Sequence, residues 1–114
     1  MEQNGKPAPI GQVIENIPIN LDRPRSLRFT HHALMMCEKE LNRFREIPGD
    51  QWVSIEVIIL QAIRSDSLPT DALGFLLWSA LLHEDPTLRP ETVEPWIVNR
   101  KYCAQKIFEA IAAA

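Results

Sequence analysis

The sequence predicts a mainly α-helical protein: a small bundle of four to five helices around one central apolar helix, with an N-terminal β-hairpin. The central segment is Thr70–Pro86, whose residues between 72 and 82 leave almost no polar face. A helix that is apolar nearly all round is normally enclosed by other elements. Segments on both sides of it repeat apolar residues at helical spacing, and residues 17–29 alternate like paired strands.

Length and composition indicate one ordinary soluble domain. The chain has 114 residues, of which 46% are hydrophobic and 24% charged, and this length is enough for one core. Residues 1–12, MEQNGKPAPIGQ, have little to bury and are expected to form a flexible arm. Residues 13–114 are then a single helical domain. A net charge of -3 argues against a general nucleic-acid binder.

The sequence favours a cytosolic location. Met1–Gln12 lacks the basic start and apolar core of a signal peptide. The apolar run at 72–82 is shorter than the roughly 20 residues that a membrane span needs. Cys37 and Cys103 lie far apart in helical contexts, so we expect buried, reduced thiols and no disulfide.

The hairpin and the first helix follow from local pattern. Residues 17–21 and Ser26–Thr30 are the predicted strands, with Asp22-Arg23-Pro24-Arg25 as their turn. Because a lone hairpin is marginal in water, its apolar face is expected to rest on helices. Thr30 is the predicted N-cap of an amphipathic helix that ends before Pro48. Its apolar stripe consists of Leu34, Cys37, Leu41 and Phe44.

Residues 50–65 fit a strand or a helix. Their many β-branched side chains favour a strand, whereas the length of the run and a stripe at three- and four-residue spacing favour a helix. We favour the helix, with Asp50 as its cap. The structure has to decide between the two.

The central helix and the C-terminal segments have clear boundary signals. Thr70 is the predicted cap of the central helix, His83 a cation near its last carbonyls, and Pro86 its stop. Pro95 predicts either that a helix begins there or that the Glu91–Val98 segment is short or kinked. Asn99–Ala113 is the predicted last helix.

No catalytic or metal-binding pattern emerges from the sequence. His83-Glu84-Asp85 and the pair His31-His32 are the most enzyme-like groups. Adjacent residues on a helix point in different directions, so neither group converges on one ion. There is no recognisable nucleophile arrangement and no glycine-rich phosphate loop. We therefore expect a protein that is not an enzyme and needs no metal or cofactor.

Two sets of residues are candidates for binding a partner, although core packing or solvation also explains them. Exposed tryptophans and adaptable methionines often anchor partners, and arginines around a turn can contact acidic groups. The apolar candidates are Met35, Met36, Trp52, Ile55, Ile59 and Trp96. The basic candidates are Arg23, Arg25 and Arg28.

Two sequence blocks carry a resemblance to a known family. The first is Ser26-Leu27-Arg28-Phe29-Thr30 followed by Ala33-Leu34 and Glu38, and the second is Leu76–Pro86 followed by Leu88–Val93. In this order and spacing they resemble the tail assembly chaperones of tailed phages and the related proteins of prophages and gene transfer agents. The likeness covers about Ile17–Phe44 and Thr70–Val98.

The resemblance implies a non-enzymatic assembly factor of the host bacterial cytoplasm. Such proteins bind the long, helical tape-measure protein and keep it soluble while the tail tube polymerises around it. The tail tube protein is a further possible partner, and self-association remains open. Two alternatives also remain open: a structural tail component, and a small helical regulatory or nucleic-acid-binding module that uses the basic hairpin.

Overall fold

A β-hairpin and five α-helices make up the part of the chain that the computed structural model describes, residues 16–114. The predicted arm, residues 1–12, lies outside it. Strands β1 and β2 are antiparallel, with Ile17 opposite Leu27. The predicted fold class is confirmed. The elements are β1 (Ile17–Asn20), β2 (Pro24–Leu27), α1 (His31–Phe44), α2 (Ile55–Ser65), α3 (Thr70–Leu81), α4 (Pro90–Val93) and α5 (Arg100–Ala113), with 3-10 turns at Gly49–Gln51 and Glu94–Trp96.

Helix α3 is the centre of the bundle. Eight of its 12 residues are buried, and it packs against α1, β2, α4 and α5. Trp78 is 4% exposed, and its indole donates to the Leu88 carbonyl at 2.8 Å. The helix ends at Leu81, five residues before Pro86, so the predicted stop is not what ends it.

The predicted N-cap of α3 is wrong. The Leu73 N–H donates to the Pro69 carbonyl at 2.9 Å, so Pro69 occupies the cap position and Thr70 is already helical. Pro69 has no side-chain oxygen to cap with. The Thr70 hydroxyl instead accepts a hydrogen bond from Arg100 Nη2 at 2.8 Å, which ties the start of α3 to α5.

The second strand lies earlier than predicted, at Pro24–Leu27 instead of Ser26–Thr30. It ends there because the Arg28 N–H donates to the carbonyl of Ala80, at 3.0 Å, and not to β1. That bond satisfies one of the free carbonyls at the C-terminal end of α3. The hairpin rests on helices as expected, with Ile19, Leu27 and Phe29 buried in the core.

Thr30 caps α1 as predicted, since its Oγ1 accepts from the Ala33 N–H at 3.0 Å. Residues 55–65 are a helix, which confirms the helical interpretation over the strand. The predicted cap is wrong, however, because α2 begins at Ile55, its cap is Ser54, and Asp50 lies in the preceding 3-10 turn.

Two side chains of α1 explain why α2 starts late. The Asn42 side-chain amide accepts from the Val53 N–H and donates to the Val53 carbonyl, both at 2.9 Å. Glu38 Oε1 accepts from the Ile55 N–H at 2.8 Å. These bonds hold the backbone before α2 outside the helix and supply a partner for one of its free N–H groups.

The C-terminal segment follows the prediction. Asn99 caps α5 by accepting from the Tyr102 N–H at 2.9 Å, and residues 90–96 form a short helix and a 3-10 turn around Pro95. Cys37 and Cys103 are free and buried, as expected. Burial raises the pKa of the Cys37 thiol to about 12.

Candidate functional site

An open groove of about 1140 Å³ lies along the N-terminal half of α3, between the end of α1, α4 and the start of α5. Its volume is slightly above the range of about 300–1,000 Å³ that is usual for small-molecule pockets, and its open shape suits a segment of polypeptide. The lining residues are Glu40, Arg43, Phe44, Thr70, Asp71, Leu73, Gly74, Phe75, Arg89, Pro90, Glu91, Glu94, Ile97 and Arg100.

Two aromatic rings give the groove an apolar surface. Phe44, the last residue of α1, is 64% exposed. Its ring contacts Phe75 edge-on, with centroids 5.5 Å apart, and Phe75 lies 6.4 Å from the ring of Trp78. The sequence placed Phe44 on the core-facing stripe of α1, and that expectation is wrong. Helical spacing shows the side of a helix on which a residue lies but not how far the neighbouring elements extend.

Gly74 keeps the middle of α3 open to the groove. Apart from its chain neighbours and the nearby backbone of α3, a Cβ atom added at Gly74 would have no atom within 4 Å, so packing does not require a glycine here. Glycine inside a helix costs about 1 kcal/mol relative to alanine. Glycine at position 74 therefore makes α3 less stable than alanine would, and it leaves the helix backbone accessible from the groove.

Charged side chains of both signs surround this apolar surface. Arg45 donates two hydrogen bonds to Asp71, at 2.7 and 2.9 Å, and joins the end of α1 to the start of α3. These bonds hold the pKa of the Asp71 carboxyl below its usual value. Further pairs are Glu40–Arg43 at 3.5 Å and Arg89–Glu91 at 3.3 Å. A mixed rim of this kind matches the polar flanks of an amphipathic segment.

None of the six apolar residues predicted to bind a partner lines the groove. Ile55 is 1% exposed, so the prediction of a partner contact there is wrong: it packs in the core. Met35, Met36, Ile59 and Trp96 are partly buried and pack against that core. The indole of Trp52 is 37% exposed, and its Nε1 donates to the Ile47 carbonyl at 2.9 Å.

The predicted basic patch loses its middle member. The Arg25 side chain is only 6% exposed and donates to both carboxylate oxygens of Asp22, at 2.6 and 2.9 Å. Its guanidinium lies 4.3 Å from the ring centre of Trp96, with Nη1 3.7 Å from Glu84 Oε1. Arg25 is therefore part of the packing between the hairpin and the helices. Of the other two, Arg23 is exposed and Arg28 is half-buried.

Two residues of the His83-Glu84-Asp85 triplet, His83 and Glu84, clamp the hairpin onto the end of α3, while Asp85 accepts from Thr87. The His83 Nε2 atom lies 2.9 Å from the Ser26 carbonyl, which can only accept, so Nε2 donates. Glu84 Oε2 accepts from the Ser26 N–H at 2.8 Å and from its hydroxyl at 2.9 Å. His83 thus donates to the hairpin, and this contact was not among its expected roles. No sequence spacing reveals this contact, because Ser26 lies 57 residues before His83.

Comparisons with protein-family models, with curated proteins and with solved structures found no match to this chain. Within residues 16–114, no helix is long and apolar enough to cross a membrane. In the same part of the chain, no group of three or more His, Cys, Asp or Glu side chains is placed to hold a metal ion.

Proposed function

We propose that this protein is a tail assembly chaperone of a tailed phage, a prophage or a gene transfer agent. It would bind the tape-measure protein in the host cytoplasm and keep it soluble while the tail tube assembles. The family is suggested by the two sequence blocks described above. The observation that carries the proposal is the apolar groove, in which Phe44 is exposed beside Phe75.

The groove has the features of a site that receives an amphipathic helix. Such a helix would place its apolar side chains on Phe44, Phe75 and Ile97, as in other helix-in-groove complexes. Because Gly74 has no side chain, the bound helix could approach the backbone of α3 closely. The charges of the rim would then contact its polar flanks.

A holdase of this kind does not need high affinity at each site. One groove contacts a short apolar segment, and an exposed rim adds little binding energy because its ion pairs are screened. A long helical partner offers many such segments, so several copies of the protein can coat one chain. Coating raises solubility as long as the apolar segments are occupied most of the time.

Co-expression with a tape-measure protein tests the proposal. We expect the wild-type chain to raise the soluble fraction of that protein, and Phe44→Glu to abolish the increase because a charge would enter the apolar groove. Val98→Glu is the matched control, since Val98 is 91% exposed and does not line the groove.

Two outcomes contradict the proposal at different levels. If the wild-type chain leaves the tape-measure protein insoluble, the chaperone function is wrong. If Phe44→Glu and Val98→Glu both act like the wild type, the function stands but the groove is not its binding site.

A further inference from the structure

Helix α2 presents an apolar ridge that the groove does not include. Its members are Val57, Leu60 and Ile63, which are 43%, 47% and 54% exposed. They are spaced by three residues, so they form one inclined row on the helix surface. The opposite side of α2 packs into the core through Ile55 and Ile58. A contiguous exposed apolar row on a small domain is typical of an interaction surface.

Two opposite charges lie beside this ridge. Glu56 and Arg64 are both exposed, and neither takes part in an ion pair with any residue in 16–114. Seen along the axis of α2, at 3.6 residues per turn, the directions of Glu56 and Arg64 differ from that of Leu60 by about 40° each, on opposite sides of it. The ridge is thus flanked by one acidic and one basic group, each four residues from Leu60.

The sequence of this surface is symmetric about Leu60. Glu56 and Arg64 are each four residues from it, and Val57 and Ile63 are each three residues from it. A two-fold axis that passes between two Leu60 side chains, perpendicular to the plane of the two helices, places a second α2 antiparallel to the first. Each residue before Leu60 then lies level, along the helix axis, with the residue equally far after Leu60 in the partner copy.

We propose that the occupant of the ridge is a second copy of this chain, packed through α2 in this antiparallel arrangement. Glu56 lies level with the partner's Arg64, Val57 lies level with the partner's Ile63, and the two Leu60 side chains meet at the axis. The symmetry makes each charge pair and each apolar pair twice, as in any isologous interface. A parallel arrangement would instead place Glu56 against Glu56 and Arg64 against Arg64.

The dimer is weak and depends on concentration. One helix face buries less than the standard interface of about 1,600 Å², so we expect dissociation constants on the order of micromolar or above. The exposed charge pairs contribute mainly to orientation and partner choice. The two grooves remain outside this interface, which makes the inference independent of the proposed function.

Sedimentation equilibrium of the full chain between about 10 μM and 1 mM tests the dimer. Leu60→Glu should weaken association on the order of tenfold or more, because it places two like charges at the axis. Glu56→Arg and Arg64→Glu should each weaken it by about three- to tenfold, since each turns two attractive pairs into repulsive ones. Lys39→Glu, on the exposed side of α1, is the matched charge control and should change nothing.

Two combinations separate this arrangement from general surface effects. The double variant Glu56→Arg with Arg64→Glu restores both pairs and should recover wild-type association. An equimolar mixture of the two single variants should form a heterodimer, because one chain then carries two basic and the other two acidic groups. Circular dichroism confirms that each variant is folded. The proposal is overturned if the chain stays monomeric to about 1 mM, or if it dimerises equally with Leu60→Glu, in which case something other than a second α2 covers the ridge.

Discussion

Helices α2 and α3 have similar lengths, 11 and 12 residues, and both are rich in apolar side chains, yet they end up in opposite surroundings. Eight residues of α3 are buried but only three of α2. Helix α3 is in contact with most other elements, whereas α2 has extensive contact only with α1. Apolar content therefore identifies both helices, and the order of elements around them decides which apolar surface stays open.

The two helices are also held by different forces. Helix α3 is held mainly by the burial of its own leucine and alanine side chains. The start of α2, in contrast, is fixed by the Asn42 and Glu38 side chains of α1, which bond the backbone of Val53 and Ile55. The comparison predicts that truncating an apolar side chain costs much stability in α3 and little in α2. Hydrogen bonds, in turn, decide the position of α2.

The largest effect is expected from Leu77→Ala in α3. Leu77 is 0% exposed, so its truncation should cost about 2–5 kcal/mol of unfolding free energy through lost burial and a cavity. Leu60→Ala in α2 is the matched control and should cost at most about 0.5 kcal/mol, measured by urea unfolding at low protein concentration. Equal losses would show that the two helices are equivalent and the comparison mistaken.

Asn42→Ala should come next. The substitution leaves the N–H and the carbonyl of Val53 without their partner. An unsatisfied buried group costs about 1–3 kcal/mol of unfolding free energy. Hydrogen exchange should speed up in α2 more than in α3, because the tether acts on α2 alone. Lys39→Ala, which changes an exposed side chain on α1, serves as the control. If both variants lose the same stability and exchange equally fast in α2, Asn42 does not have the role assigned to it.

The Arg45–Asp71 pair predicts a pH-dependent term of stability. Hydrogen bonds from Arg45 lower the pKa of Asp71 in the folded protein, so the unfolded chain takes up the proton first as the solution is acidified. The contribution is present above about pH 4 to 5 and is lost as pH falls through the lowered folded pKa. Because the pair is partly exposed, we expect about 1 kcal/mol or less.

Urea unfolding of wild type and Asp71→Asn between pH 2 and 7 measures this term. The difference in unfolding free energy should be largest at neutral pH and shrink towards zero at the acid end. Arg45→Gln should remove the same pH dependence. If the difference is instead constant with pH, the carboxylate charge of Asp71 does not stabilise the fold.

The smallest expected change is a gain from Gly74→Ala. The added methyl group meets open space and removes a glycine from a helix interior, so stability should rise by up to about 1 kcal/mol. Gly74→Leu should leave the fold intact while filling the groove and reducing co-solubilisation of the tape-measure protein. A lower urea midpoint for Gly74→Ala would contradict the claim that the space beside Gly74 is open.

Local patterns in the sequence account for most of the fold. The Thr30 cap, the central helix and the alternation in the hairpin each depend on residues close in the chain, and all three are present. The start of α2 was not predictable, since Asn42 acts across 11 residues. Arg25 became buried because Glu84 and Trp96 approach it from distant parts of the chain.

The groove was missed for the same reason. The exposure of Phe44 and the empty space at Gly74 depend on where α1, α3, α4 and α5 end relative to one another. One signal was available: a glycine inside an otherwise apolar helix is a conflict between local propensity and position, and such conflicts often mark functional surfaces.

The clamp on the hairpin has a consequence for how the chain is made. Ser26 and Glu84 lie 58 residues apart, and the Asn20 N–H donates to the Tyr102 hydroxyl across 82 residues. A two-stranded hairpin is marginal by itself, so it must wait for these partners. At about 5–20 residues per second, synthesis from residue 26 to residue 84 takes about 3 to 12 s. During that interval Leu27 and Phe29 have no cover from α3 or α5, so the hairpin segment exposes apolar side chains on the nascent chain.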